Sequence, residues 1–416
     1  MQIIAASHLL PISGEPCHGG GVVVADGLIQ AAGPLNELRR SFDAPVLDYP
    51  GCVLMPGLVN AHTHLELTHY PAWLHRKDLK YSPRTYVDWI IQVIKVKRGL
   101  QHEELAASLR EGLDISLQAG TTMVGDILSD RRLLATYADR EISGRIYLEL
   151  IGQNRTLTRE LLGDVLAATE RVPHPFLPGL APHAPFTVAD GFLADITAAA
   201  RSRKIPLTMH LAESKEESAF FLDSSGKIAT DLYPFVQWEN YLPSPRRQTP
   251  TEWFHGTGLA GPDFHAVHCV HLTPADARLI SRSGIPIVLC PRSNDRLDVG
   301  RAPVHVFRKA GIRLALGTDS LASNDSLSLW DEMRALLQLY PGEFTPADVL
   351  EMATRGGAEA IGRGGEAGTL EAGKRADLLL LELGHVPATG TLHEAILYNG
   401  RLTGVWVGGT PVVHPS

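Results

Sequence analysis

The chain has 416 residues, 44% hydrophobic and 20% charged, which excludes a disordered chain and leaves ample material for a large core. Lys+Arg total 38 and Asp+Glu 46, a net charge of −8, and no long basic run exists; nucleic acid and anionic membrane surfaces are poor candidate partners. Cys17, Cys52, Cys269 and Cys290 include no CxxC pair, and neither a signal peptide nor an apolar run of membrane-spanning length is visible. A reduced, cytoplasmic protein that spans no membrane is expected.

Residues 1–52 hold VVVADGLIQAAG and APVLDYPG, short strands with Gly and Pro turns. Strands are then expected at 53–62, 121–127, 145–152, 177–183, 205–212, 265–271, 285–291 and 313–319. Between them lie helical patterns such as 103–118, 189–203 and 274–283. Eight strands alternating with helices predict an α/β fold, a closed (β/α)8 TIM-like barrel over 53–367. An insertion at 222–262, with Trp238, Tyr241, Trp253 and Phe254, is either a lid or wall near the active-site face or a helix pair packed outside. Residues 368–416 hold GTLEAGKRADLLLLEL, AILYNGRLTGVWVGG and TPVVH, a second β-meander. Each end alone is too small to bury much, so 1–52 plus 368–416 are expected to pair into one small β-sandwich domain.

The chemistry sits where strands end. His62 and His64 are two apart, so on a strand both imidazoles face one side. His210 closes the fifth strand and Asp319 the eighth, at the face where barrel enzymes keep their sites. Buried together without a metal, these groups would be left unpaired at a cost of several kcal/mol. Three imidazoles and a carboxylate suit one zinc ion, with iron or manganese as alternatives. Glu213 either carries protons beside the metal-bound water or is a helix N-terminal acid. His268 and His271 compete for one place beside the metal, since i and i+3 face opposite ways on a strand.

PGLVNAHTH (56–64), HLAES (210–214), HCVHL (268–272), CPRSN (290–294) and GTDSLASNDSLSLWDEM (317–333) resemble the amidohydrolase superfamily. Within it they are most similar to the aminohydrolases of nucleosides, guanine and triazines. The resemblance covers nearly the whole chain. It implies metal ligands His62, His64, His210 and Asp319, a proton-shuttling Glu213 and a site histidine at His268, with Asp319 also catalytic. Two-metal members use a carboxylated Lys at the end of strand four; here APHAP (181–185) has none, which implies one metal and deamination. His183 stands there instead, either touching substrate or making a supporting hydrogen bond.

HTHLEL (62–67), TYVDWIIQVI (85–94) and CPRSN look similar to the 6-aminodeoxyfutalosine deaminases of menaquinone biosynthesis, whose substrate is an adenine nucleoside bearing a benzoate. Near relatives deaminate S-adenosylhomocysteine, methylthioadenosine or guanine, or remove chloride from triazines. The resemblance therefore implies a small purine-type substrate, and a homo-oligomer is compatible with it. A benzoate would need an Arg or Lys, with Arg155 and Arg292 at barrel-top positions. Arg292 could instead pair with an acidic neighbour. Glu66 and Trp89 are candidates for ribose or base contacts, although packing explains Trp89 equally well.

Overall fold

The structure, a computed structural model, describes residues 1–77, 82–384 and 391–414. Eight parallel strands follow one another in chain order: Leu58–Thr63, Thr121–Leu128, Ser143–Leu150, Phe176–Pro182, Leu207–Leu211, Phe264–His268, Ile287–Leu289 and Leu314–Leu316. Each overlaps an expected strand. First and last are joined by polar groups at their upper ends. A parallel bridge links Thr63 to Asp319, and Asp319 N donates to His62 O at 3.1 Å. Asn60 Nδ2 donates to Thr318 Oγ1 at 2.8 Å, and Thr318 N returns a bond to Asn60 Oδ1 at 3.1 Å. The interior is filled by Val59, Ala61, Met123, Ile127, Tyr147, Val267, Val288 and Ala315.

The crossovers are amphipathic helices, among them His102–Gln118, Asp190–Arg203 and Pro274–Arg282. The last starts on a capping box in which Thr273 and Asp276 exchange side-chain-to-backbone bonds, satisfying two amides that a helix start leaves free.

A second, seven-stranded mixed sheet is built from both termini, in the order Thr410–Val413, Arg401–Val407, Leu378–Glu382, Val46–Pro56, Gln2–Leu9, Cys17–Ala25, Leu28–Pro34. A bridge between Leu28 and Arg375 ties its far edge back to the segment entering Leu378–Glu382. The sheet thus curls around Val22, Leu54, Leu378, Leu380 and Trp406. Residues 385–390 and 415–416 of the expected C-terminal part lie outside the described residues.

Three boundaries differ from expectation. Residues 53–56, read as the start of the first barrel strand, belong to Val46–Pro56 in the terminal sheet, and the barrel strand starts after Gly57. The seventh strand is three residues long because Pro286 and Pro291 flank it and neither has an amide to donate. AILYN, read within a β-meander, is the end of the helix Leu392–Asn399.

Candidate active site

His62 stands within the first barrel strand and is fully buried. His64 lies one residue past it, with ring centroids 5.0 Å apart. His210 and His268 come from the fifth and sixth strands, with rings 4.9 and 5.7 Å from His62. Asp319 follows the eighth, its Oδ1 3.7 Å from His62 Nε2 and 3.6 Å from His64 Nε2. The backbone is strained where these strands turn out: Ala212, His268, Cys269 and Asp319 all have positive φ, between 50° and 67°. Non-glycine residues held there mark sites that the surrounding structure over-determines.

The supporting contacts aim each donor inward. His210 Nδ1 donates to His183 O at 2.8 Å, so Nε2 faces the cluster. There it lies 3.3 Å from His64 Nε2. Asp319 Oδ2 accepts from Ser293 Oγ at 2.6 Å and Ser323 Oγ at 2.7 Å, leaving Oδ1 toward the histidines. Among the described residues, both His62 ring nitrogens and His268 Nε2 are buried without a hydrogen-bond partner. Burial opposes ionisation of Asp319, yet His62, His64 and His268 hold its carboxyl well below the usual range. Burial and neighbouring rings push His64 and His210 well below the usual histidine value, which keeps them neutral donors. Nitrogens bound to one zinc at about 2.0–2.1 Å lie roughly 3.3 Å apart in a tetrahedral site. The orphaned nitrogens, the His64–His210 spacing and the free Asp319 oxygen fit a single divalent ion.

Glu213 adjoins this cluster. Its Oε1 lies 3.7 Å from His268 Nε2, and its Oε2 accepts from Tyr86 Oη at 2.6 Å. Burial pushes its carboxyl above the ordinary range, opposed by His268 and Tyr86. Ser214 caps the helix Lys215–Asp223, so Glu213 lies just before a helix N-terminus, with its side chain turned to His268. The neighbouring loop is held by Glu217, which accepts from the backbone amides of Ala212 (3.1 Å) and Glu213 (2.9 Å).

His268 takes the contested place, its Nδ1 bonded to Asn294 Oδ1 at 2.9 Å. His271 lies beyond the strand and bonds Val299 O through Nε2 at 2.7 Å. Glu66, His183 and Trp89 line the cavity above the cluster. His183 Nδ1 is bonded to Thr187 Oγ1 at 2.9 Å, and Trp89 Nε1 donates to Ala322 O at 2.9 Å.

Arg292 is a correction. It sits in the first turn of the helix Pro291–Arg296, its guanidinium bonded to Asp325 and 3.2 Å from Asp331, and it lines a different depression. Arg155 opens the helix Arg155–Thr169, is exposed and does not line the cavity. The cation that does is Lys97, 2.7 Å from Glu66 Oε1. From the insertion, Leu232, Val236 and Trp238 form part of the cavity wall. Trp253 and Phe254 pack elsewhere, against Phe221 and Phe264.

Sequence reading missed Tyr86, Lys97 and Glu149. Tyr86 and Lys97 share a face of the helix Tyr86–Lys97 with Trp89, Ile90, Val93 and Ile94, all lining the cavity at helical spacing. The periodicity was visible in the sequence, but an apolar helical stripe reads equally well as core packing.

The amidohydrolase family model matches residues 53–412. The chain belongs to the amidohydrolase family and is a hydrolase of C–N bonds. Among its relatives, the aminodeoxyfutalosine deaminase of Deinococcus radiodurans is 32% identical over 353 residues, 82% of this chain and 81% of the relative. The 5-methylthioadenosine/S-adenosylhomocysteine deaminase of Desulforudis audaxviator is 32% identical over 401 residues, 91% of this chain and 84% of the relative. An adenosine deaminase from Xanthomonas campestris, solved with bound zinc, superposes with a TM-score of 0.83 at 26% identity, over 99% of this chain and 93% of that one.

Proposed function

We propose that this chain removes the 6-amino group of an adenine nucleoside as ammonia, using one zinc ion, with 6-aminodeoxyfutalosine as its substrate. The observation carrying the reaction is a buried, proton-competent Glu213 beside a cluster of His62, His64, His210 and Asp319 that leaves donor atoms unpaired. Those four residues would hold the ion, which would supply a Lewis acid that lowers the pKa of water toward neutrality. Glu213 takes a proton from the attacking water and delivers it to a purine ring nitrogen, making C6 more electrophilic. His268, its ring fixed through Asn294, presents Nε2 to the incoming oxygen. The oxygen adds to C6, Asp319 takes the remaining proton from that oxygen and passes it to the amino group, the C6–N bond breaks and ammonia leaves.

The substrate assignment is supported by an apolar wall of Trp89, Ile90, Val93, Ile94 and Trp238, suited to an aromatic substituent, and by Lys97 as a carboxylate partner. One observation favours methylthioadenosine instead: Lys97 is already paired with Glu66, and no other Lys or Arg lines the cavity among the described residues. Ammonia release from the zinc-loaded protein separates the two, measured on 6-aminodeoxyfutalosine, methylthioadenosine, S-adenosylhomocysteine, adenosine and guanine. Preference for the first supports the assignment, and preference for methylthioadenosine moves it to the second. No release from any would overturn the deaminase reading.

A further inference from the structure

We infer that Tyr86 is a positioning residue for Glu213: its hydroxyl anchors Oε2 so that Oε1 alone is presented to water and substrate. The inference rests on Glu213 as proton carrier. Tyr86 is buried at the cavity wall, and its hydroxyl donates to Oε2 at 2.6 Å. The other oxygen, Oε1, points to His268 Nε2 at 3.7 Å. The backbone of Glu213 is fixed separately, through its own amide bonded to Glu217. Main chain and one carboxylate oxygen are thus both tethered, and Oε1 is the atom left to act.

A phenol is a neutral donor across the working pH range, and burial beside Glu213 pushes Tyr86 well above its ordinary value. It can therefore hold the carboxylate without competing for the transferred proton. A Lys or Arg there would hold the charge too strongly, and water would not hold the rotamer. Tyr86 also packs on Trp89, ring centroids 5.7 Å apart, on the helix that walls the cavity. The group that orients the shuttle is thus mounted on the helix that forms the cavity wall.

The test is Tyr86→Phe, which keeps the ring, measured alone and combined with Glu213→Gln. The expected result is a kcat lowered about 10-fold or more with KM within about 2-fold, and no further loss in the double variant over Glu213→Gln alone. Bound metal per chain and the thermal unfolding midpoint should match wild type. Wild-type kcat in Tyr86→Phe, with Glu213→Gln inactive, overturns this inference and leaves the shuttle reading standing. Equal further loss in both backgrounds, or lost metal, assigns Tyr86 a structural role and also overturns it. Near-normal turnover in Glu213→Gln would overturn the shuttle reading and this inference with it.

Discussion

Each site residue combines a donor atom with a device that aims it, and the two fail differently. Glu213→Gln keeps the shape of the side chain but cannot accept a proton, so turnover should fall by about 10²–10⁴-fold with metal content unchanged. Asp319→Asn should lower both, because Oδ1 faces the histidines while Oδ2 is spent on Ser293 and Ser323; metal analysis alongside steady-state rates separates the two variants. Glu332 illustrates a buried acid outside the reaction. It accepts from Asn324 Nδ2 at 2.7 Å and Arg292 N at 3.2 Å, and burial raises its carboxyl to about 8. A raised carboxyl favours folding below the unfolded value of 4.5, and that contribution is lost as pH climbs through about 8. Thermal unfolding of Glu332→Gln should therefore decline less between pH 5 and pH 9 than wild type; an equal decline would show that Glu332 does not carry this dependence.

Where elements meet, close approach of backbones decides what is tolerated. At Gly317, just past the eighth strand, an added Cβ would lie 2.7 Å from His62 O and 3.0 Å from His62 N. Those atoms are main chain and cannot swing aside. Gly317→Ala should push the eighth strand off the first and separate His62 from Asp319, lowering metal affinity at least 10-fold, a size known for loss of groups that support ligands. Unchanged affinity in a metal titration would show that the junction relaxes. The helix Tyr86–Lys97 works the other way, as one face carrying Tyr86, the apolar cavity wall and Lys97 together.

For the molecule as a whole, the terminal sheet and the barrel share a strand path. Val46–Pro56 runs through Gly57 directly into Leu58–Thr63, which carries His62. Trp406, buried in the terminal sheet against Tyr49, belongs to Arg401–Val407, which Leu378–Glu382 separates from Val46–Pro56. Trp406→Ala should cost about 3–5 kcal/mol of stability. Turnover of the protein that remains folded should stay within about 2-fold, since among the described residues none lining the site cavity comes from that sheet. A large fall in kcat at low temperature would instead show that the sheet shapes the site. Among the described residues, no helix is long and apolar enough to cross a membrane.

The alternation of short β-branched runs with amphipathic helices sufficed for the barrel, because period-2 and period-3.6 patterns are local. The histidines and Asp319 were legible because polar residues at the ends of apolar strands have one economical explanation. The strand ends were less legible, since prolines and positive-φ turns cut the seventh and sixth strands short. Which side chains meet across elements was not legible at all. Tyr86 reaches Glu213 over 127 positions, Lys97 rather than an arginine enters the cavity, and Arg292 turns outward to Asp325. Those outcomes depend on the rotation of a helix about its axis and the direction of its first turn. Packing against the barrel sets both, and no short stretch of sequence encodes that packing.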